Sequence, residues 1–413
     1  MSTPYIGIYG ATSFTARECL TYLCSHSEKD KFQLSLAGRT QTKLDKVISD
    51  LNEKIETVVL LLTDEQGVKE WVKKCQVVIN FAGPYALYNA EALIKACAEH
   101  GTHYVDVCGE AYFVAKMIER YHDTAKKTKT CIVPACGFDA VPSDLIVYLA
   151  RQTLQNSHPS ARLTKSTTFF SVRGTVSGGT IATLRSTLSL PPSQRGGSQW
   201  SLIPLTPPTS KTKWPTFAAT EYVPGTKEKL YGAIFPFAPF DKAIVRRSWY
   251  FTLLHDEKDP GFRYEEYVKI GSVWLAWIVS LGVYVFFGLY FFVPLFRKLV
   301  DRFLPQPGQG ATLEKRKKGW ARLINVSHTT TNVKVITKLF AKGDPGYIAT
   351  CYMCAESALS LVLPPPSGTS LPDIAHQGGV LTPMTALGDV LKERLKRNGV
   401  VEVESELVID SGH

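Results

Sequence analysis

The 413-residue chain contains no GxSxG, no HExxH and no Walker sequence, which excludes the hydrolase nucleophile elbow, the zinc-protease helix and the P-loop. No repeat of 20 to 50 residues is present, so solenoids and propellers are excluded as well. The closest cysteine pair, Cys351 and Cys354, has no second CxxC or Cys/His pair nearby, and His103, His122 and His158 show no ligand spacing. No metal site is expected. No apolar signal run precedes the first strand, and the nine cysteines are an odd number spread widely. Reduced thiols on the cytosolic side are the expectation.

What is there describes a globular chain of two domains, with 45% hydrophobic and 20% charged residues. The net charge of +10 raises a nucleic-acid reading, but its placement argues otherwise. Eight basic residues (Arg297, Lys298, Arg302, Lys315, Arg316, Lys317, Lys318 and Arg322) stand against Asp301 and Glu314 directly after the longest uncharged run. No nucleic-acid partner is expected.

Residues 5 to 20, YIGIYGATSFTARECL, pass from an apolar strand through a glycine turn into a helix. Such a junction holds a pyrophosphate when it offers a tight turn, a small residue near the phosphates and another where helix meets strand. Those places are filled by Gly10, Ser13 and Ala16. Strands are predicted at 32–38, 57–63, 75–83, 103–109 and 131–137, with helices between. This alternation implies right-handed crossovers and a doubly wound parallel sheet, the Rossmann class. Ligands of such sheets sit at the carboxyl ends of the strands. NAD enzymes carry an acidic residue after the second strand; this chain has Arg39 and Thr40 there, with Lys43 a turn later. A guanidinium fork suits a 2′-phosphate, so NADP is the expected cofactor, with NAD the alternative.

Residues 271 to 296 carry no charge in 26 positions. As a helix they would reach roughly 39 Å against a hydrocarbon core of about 30 Å. Their fifteen Val, Leu, Ile and Phe residues favour insertion by roughly 4 to 9 kcal/mol. Trp274, Trp277, Tyr284 and Tyr290 suit an interface, and the basic cluster suits anionic headgroups. Spanning the bilayer would strand residues 300 to 413 on the far side, although NVKVITKLFA, GDPG and YIATCYMCAESALSLVL look like a hairpin needing a sheet. Breaks at Gly282, Gly288 and Pro294 would instead give a re-entrant hairpin or two short helices in one leaflet. A monotopic anchor on the cytoplasmic face of a membrane or lipid droplet is the expectation.

The Rossmann domain is assigned to residues 1–155. From about 160 the pattern shifts to longer strand-like runs, including STTFFSVRGTVSGGTIATLRSTL, and a proline-rich stretch from Leu190 to Pro224 reads as loop. A second, mixed α/β domain, 156–413, is expected to carry the apolar segment, with the helix ending at Gly399 packing back on the fold.

GATSFTAR, LAGRT, NFAGPY, HYVDVCGE, GFDAVPSD, TVSGGT, LPQPGQGA, GDPGY and GGVLTPMTALGD resemble, in order, the saccharopine dehydrogenase-like oxidoreductases and the related bacterial trans-acting enoyl reductases. The resemblance implies a Rossmann domain followed by a saccharopine-reductase-type α/β domain, a nicotinamide cofactor, and association with lipid droplets or membranes among eukaryotic members. It also implies that Gly10, Thr12, Ser13, Phe14 and Thr15 line the pyrophosphate, Arg39 and Thr40 the adenosine end, and Gly83, Pro84 and Tyr85 the nicotinamide side. Ser13 and Ala16 depart from the family's GATGxTG turn.

Hydride transfer asks the protein for a proton donor and for orientation. Tyr85, after a sheet strand, is the first candidate, with an aromatic packing role as its alternative. Asp106, Glu110 and Asp139 fall at the same sheet edge and are candidates for proton transfer, or structural acceptors. Ser143 and Asp144 look like a helix cap, and SGGT (177 to 180) a ligand-contacting loop or a bulge between strands. The residues together favour an NADP-dependent oxidoreductase taking an apolar, lipid-like carbonyl or enoyl substrate from a membrane or lipid-droplet surface. The alternative is a non-catalytic lipid-surface protein that keeps the fold. A second copy of the chain, as a homodimer, is a further candidate partner.

Overall fold

A computed structural model describes residues 3–175, 178–189, 191, 202–203, 217–226, 228–254, 261–304 and 310–409. Most of the proline-rich stretch and of the LPQPGQGA motif lies outside the described residues. Strands β1 (Tyr5–Tyr9), β2 (Gln33–Gly38), β3 (Glu56–Val59), β4 (Val77–Asn80), β5 (His103–Asp106) and β6 (Cys131–Val133) come first. Then follow β7 (Leu163–Arg173), β8 (Ala218–Tyr222), β9 (Lys229–Ile234), β10 (Arg263–Ile270), β11 (Trp320–Thr329) and β12 (Val333–Lys342). The last two are β13 (Gly379–Val380) and β14 (Val401–Ile409).

The first sheet is wholly parallel, ordered β13-β6-β5-β4-β1-β2-β3. Its middle strand β4, VVIN, is buried at every position, which is why it reads as an unbroken apolar run: a parallel strand is covered on both faces. The strands end earlier than their apolar runs suggest, because residues such as Phe81–Gly83 and Val107–Gly109 leave the ladder and form the turns at the carboxyl edge. The edge strand β13 arrives from residues 379–380, so the C-terminal part of the chain completes this sheet.

The second sheet is mixed, ordered β14-β12-β11-β7-β10-β9-β8, with β7 and β10 parallel and its other neighbours antiparallel. Alternation along β11 and β12 sends Leu323, Val335 and Leu339 into the main core and Val326 and Ile336 to the other face. The expected hairpin is therefore β11 with β12. Its second arm was placed too far along the chain: Thr350–Val362 is a buried α-helix. Alternation in TCYMC imitates a strand, but the following AESALSLV supplies good helix formers. Small residues, Ala355, Ser357 and Ala358, let the helix pack closely under the first sheet. Residues 178–189, also read as a strand, form a helix. Gly178 and Gly179 thus open a helix and do not form a bulge. Ser143 and Asp144 lie inside the first turn of the helix Val141–Ser157, whose cap position is Ala140.

Helix Val273–Phe292 is long and apolar enough to cross a membrane by length and composition. Gly282 and Gly288 do not interrupt it; the break comes where Val293 is extended and a second helix, Pro294–Asp301, begins. Proline suits a first helical position because the missing N–H has no partner there anyway. The second helix folds back on the first, with Phe296 edge-on to Phe286 at 5.8 Å and Asp301 accepting from the Tyr290 hydroxyl at 2.8 Å. Ala276 and Ser280 pack the hairpin on the protein, and the Ser280 hydroxyl accepts from Ile234 N–H at 2.9 Å. The opposite stripe is bare, with Trp274 79% and Phe292 82% exposed.

Helix Thr350–Val362 is locked by one carboxylate. Glu356, fully buried, accepts from the Tyr22 hydroxyl, faces His26 Nε2 at 2.9 Å, and accepts from Arg394 Nε at 2.9 Å and Asn398 Nδ2 at 2.9 Å. A buried charge is tolerated only when so surrounded. Replacing Arg394 by Met leaves this carboxylate short of its cation and is expected to cost about 3–5 kcal/mol. Replacing the half-exposed Arg397, which pairs with Glu28, should cost less than about 1 kcal/mol. Thermal and denaturant unfolding of both variants checks the ranking, and an equal loss would contradict it.

Candidate cofactor cleft and active site

At the carboxyl end of β1, Gly10 adopts φ +71, and a Cβ there would stand 2.9 Å from the Ala82 backbone nitrogen. Only glycine fits without displacing the next strand's turn. The helix Phe14–Cys24 starts four residues later. The Ser13 hydroxyl, the side chain in the place usually held by glycine, is occupied as the helix cap and accepts from Ala16 N–H at 3.2 Å. Phe14 is drawn away by the second domain: its ring meets Tyr347 edge-on at 5.0 Å and lies under the Arg316 guanidinium at 4.7 Å. Arg316 is itself paired with Glu18 and donates to the Ala311 carbonyl. Among the described residues, the backbone N–H groups of Thr12, Phe14 and Thr15 have no acceptor. Three free donors at a helix start make a fitting cradle for a pyrophosphate.

Arg39 follows β2 directly and is exposed, as is Thr40, which precedes the helix Gln41–Leu51 without a side-chain cap bond. Across β1, the turn after β4 carries Gly83 and Pro84, joined by a cis peptide, then Tyr85. Glu110 holds this turn by accepting from Tyr85 N–H at 2.7 Å and Ala86 N–H at 3.2 Å. Tyr85 itself is buried. Its hydroxyl donates to the Asn80 carbonyl at 3.0 Å and accepts from Val107 N–H at 3.2 Å, and burial pushes the phenol well above its usual range. With donor and acceptor both committed to backbone, this residue is a structural pin, and the expectation that it protonates a substrate is corrected.

Asp106 is likewise enclosed. One oxygen accepts from Cys108 and Ala135 N–H, each at 2.9 Å, and the other from the Tyr104 hydroxyl at 2.8 Å. Burial lifts its carboxyl to about 6. It fastens the loops after β5 and β6 together at the sheet edge. Asp139 differs: its carboxylate is accessible, although protein surrounds it closely enough to lift its pKa to about 6 by desolvation, and no side-chain partner is found among the described residues. Asp139 is thus an exposed carboxyl in a protein-rich surrounding at the sheet's carboxyl edge. Next to it, Asp241 and Glu266 are buried against each other. Burial and mutual repulsion hold Asp241 well above the carboxylate range, and burial raises Glu266 in the same direction.

A helix from the second domain crosses this region. In Gly178–Ser189, the backbone N–H of Gly178 donates to the Tyr347 hydroxyl beside Phe14. Farther along, Ser186 Oγ lies 3.1 Å from the hydroxyl of Tyr112, which donates to Glu110 at 2.8 Å. Arg185, on the same turn, pairs with Asp301 at 3.0 Å, at the base of the apolar hairpin.

Residues 6–133 match the family model for the saccharopine dehydrogenase NADP binding domain. A trans-acting enoyl reductase of Mycobacterium bovis is 31% identical over 414 residues, covering 96% of each chain, and one of Mycobacterium ulcerans is 30% identical over 416 residues with the same coverage. The chain belongs to the saccharopine dehydrogenase-like oxidoreductases. Among solved structures, the apo saccharopine dehydrogenase (L-Glu forming) of Saccharomyces cerevisiae shares the fold, with a TM-score of 0.54, 12% identity, and coverage of 98% of this chain and 100% of that one. The protein is therefore an NAD(P)-dependent oxidoreductase with an NADP-binding domain, as the glycine turn and Arg39 indicated.

The structure thus gathers Gly10, Thr12, Ser13, Phe14, Thr15, Arg39, Thr40, Gly83, Pro84 and Asp139 along one sheet edge, and withdraws Tyr85 and Asp106 into its support. Sequence reading missed Arg316 and Tyr347 at the phosphate turn, and the Asp241–Glu266 pair. Tyr347 lies in the GDPGY motif, but nothing local signals that it meets a residue some 330 positions earlier. Because burial raises the native pKa of Glu266 above its unfolded value, the folded state holds more protons between the two, and its stability falls as pH rises through that window. Glu266→Gln removes the buried charge. Its thermal midpoint is expected to exceed the wild-type value at pH 8, with the gap shrinking toward pH 5; a gap independent of pH would contradict the assignment.

Proposed function

We propose that this chain is an NADPH-dependent reductase that works monotopically at the cytoplasmic face of a membrane or lipid droplet, on an apolar carbonyl or enoyl substrate. One observation carries the reading: the base of an exposed apolar hairpin is tied by Asp301 and Arg185 to the helix lying over the cofactor cleft. The relatives' name, trans-acting enoyl reductase, supports an enoyl acceptor. Bound NADPH supplies the hydride. The chain's own part is to hold the pyrophosphate on the N–H groups of Thr12, Phe14 and Thr15 and the 2′-phosphate on Arg39, with Asp139 giving a proton to the carbonyl oxygen or to the carbon beside it. A carboxyl near 6 keeps roughly a tenth of its molecules protonated at neutral pH, far more than an ordinary aspartate, which suits a general acid.

The lipid-surface part rests on shape and charge. Both ends of the hairpin return to the same sheet, through β10 and β11, which favours one-sided insertion over a crossing. Phe292 and Leu295 lie at its bend, Leu299 and Phe303 extend the bare surface, and Arg297, Lys298 and Arg302 supply positive charge beside it. Apolar burial with cations at headgroup depth is the pattern of an interfacial anchor.

Titration of the full chain with NADPH should saturate, and Arg39→Ala should weaken NADPH at least about tenfold, the loss of a charged hydrogen-bonded contact, while leaving NADH unchanged. Absence of saturable binding would leave the non-catalytic reading. Separately, the wild-type chain should float with phosphatidylcholine vesicles containing phosphatidylserine, and replacement of residues 273–301 by a Gly/Ser linker should leave a folded protein in the soluble fraction. A linker variant that still floats would refute the hairpin as anchor.

A further inference from the structure

We infer that Tyr88 is a positioning residue for Arg39, and through it a determinant of NADPH over NADH; this rests on the reading of Arg39 as the 2′-phosphate ligand. Strands β2 and β4 flank β1, so the residues that follow them face each other across the glycine turn. Arg39 rises from the first and Tyr88 from the second, with the guanidinium carbon 5.5 Å from the centre of the tyrosine ring.

Three features single out this pair. Tyr88 is 48% exposed, a large ring left in water beside Arg39, on a loop whose residues 86–89 are all exposed but whose backbone is held by hydrogen bonds. Its N–H donates to the Pro84 carbonyl at 3.1 Å, the next residue, Asn89, takes the left-handed conformation at φ 56, and Asn89 Nδ2 donates to the Leu62 carbonyl at 2.9 Å. The ring is therefore presented from a fixed backbone. Among the described residues no carboxylate pairs with Arg39, so the ring is the contact that holds this cation.

The geometry matters because of what stacking leaves free. A guanidinium over a ring uses its planar face, and its N–H donors point outward in the plane. A phosphate can then be gripped at the edge without breaking the stack. An exposed arginine with no such support must give up the freedom of four side-chain torsions on binding; one already resting over a ring has given up part of it. Tyr88 thus acts on the 2′-phosphate without touching it, and its removal should penalise the cofactor that carries this group and spare the one that lacks it.

The test is calorimetric or fluorescence titration of the full chain with NADPH and NADH, for wild type, Tyr88→Phe, Tyr88→Ala, Arg39→Ala and the Tyr88→Ala/Arg39→Ala double variant. Tyr88→Ala should weaken NADPH about two- to fivefold, the equivalent of an exposed cation–π contact, with NADH unchanged. Tyr88→Phe should keep wild-type affinity, and the double variant should bind NADPH no worse than Arg39→Ala alone. Equal weakening of both cofactors by Tyr88→Ala would mean that the ring contacts the shared adenosine, and would overturn the proposal, as would unchanged NADPH affinity. If Arg39→Ala leaves the NADPH to NADH ratio unaltered, the phosphate reading itself fails; if it lowers the ratio while Tyr88→Ala does not, only the role of Tyr88 fails.

Discussion

A single buried carboxylate governs how the two halves of this protein meet. Glu356 sits in the middle of helix Thr350–Val362 and gathers Tyr22 and His26 from the first domain and Arg394 and Asn398 from the chain's last helix. Charge burial of this kind adds little net stability by itself, but a removed partner is costly, so the arrangement admits one geometry and penalises its neighbours. With the middle of the helix fixed, its start falls at the cleft. Thr350 Oγ1 accepts from Phe138 N–H at 3.0 Å, just before Asp139, and the Cys351 thiol donates to the Thr15 carbonyl at 3.1 Å. The residues that form the cleft are thus held from a point one and a half helical turns away.

The β1 turn offers an anion cradle, and the proposed function adds an approach from the apolar hairpin. The cradle depends on Gly10 for its turn and on Ser13 and Phe14 both being engaged elsewhere, one as a helix cap and the other against Tyr347 and Arg316. That proposed approach runs along helix Gly178–Ser189, which begins beside the cradle, touches the support of the Gly83–Tyr85 turn through Ser186 and Tyr112, and reaches the apolar hairpin through Arg185. One short helix thus joins the surroundings of the β1 turn, the Tyr112–Glu110 pair and the apolar hairpin, and the proposal of a lipid-like substrate rests on that connection.

Much of the first domain was legible because parallel strands carry their own punctuation: each apolar run ends in glycine or a polar residue at the edge where ligands bind. Arg39 stands out as a candidate by its distance from the glycine turn alone. The second domain was harder. Alternation in TCYMC belongs to a helix that is buried all round, so periodicity had no solvent face to report. The two-residue strand β13 is too short to leave a pattern, and β14, VEVESELVI, alternates plainly but was overlooked beside the preceding helix. Tyr85 was misjudged because a sequence places a phenol at a sheet edge but does not disclose that Asn80 and Val107 engage its hydroxyl. Asp139 was proposed for the same positional reason; what separates it from Asp106 is its exposure and its lack of hydrogen-bond partners among the described residues.

The claim on which the account turns is that the β1 turn holds a pyrophosphate although serine and phenylalanine stand where smaller residues are usual. A crystal structure of the full chain grown with NADP tests it most directly. The account predicts the diphosphate oxygens within hydrogen-bond distance of the backbone nitrogens of Thr12, Phe14 and Thr15, with Phe14 still packed on Tyr347. A dinucleotide bound elsewhere, or a Phe14 ring occupying the space of the phosphates, would contradict it.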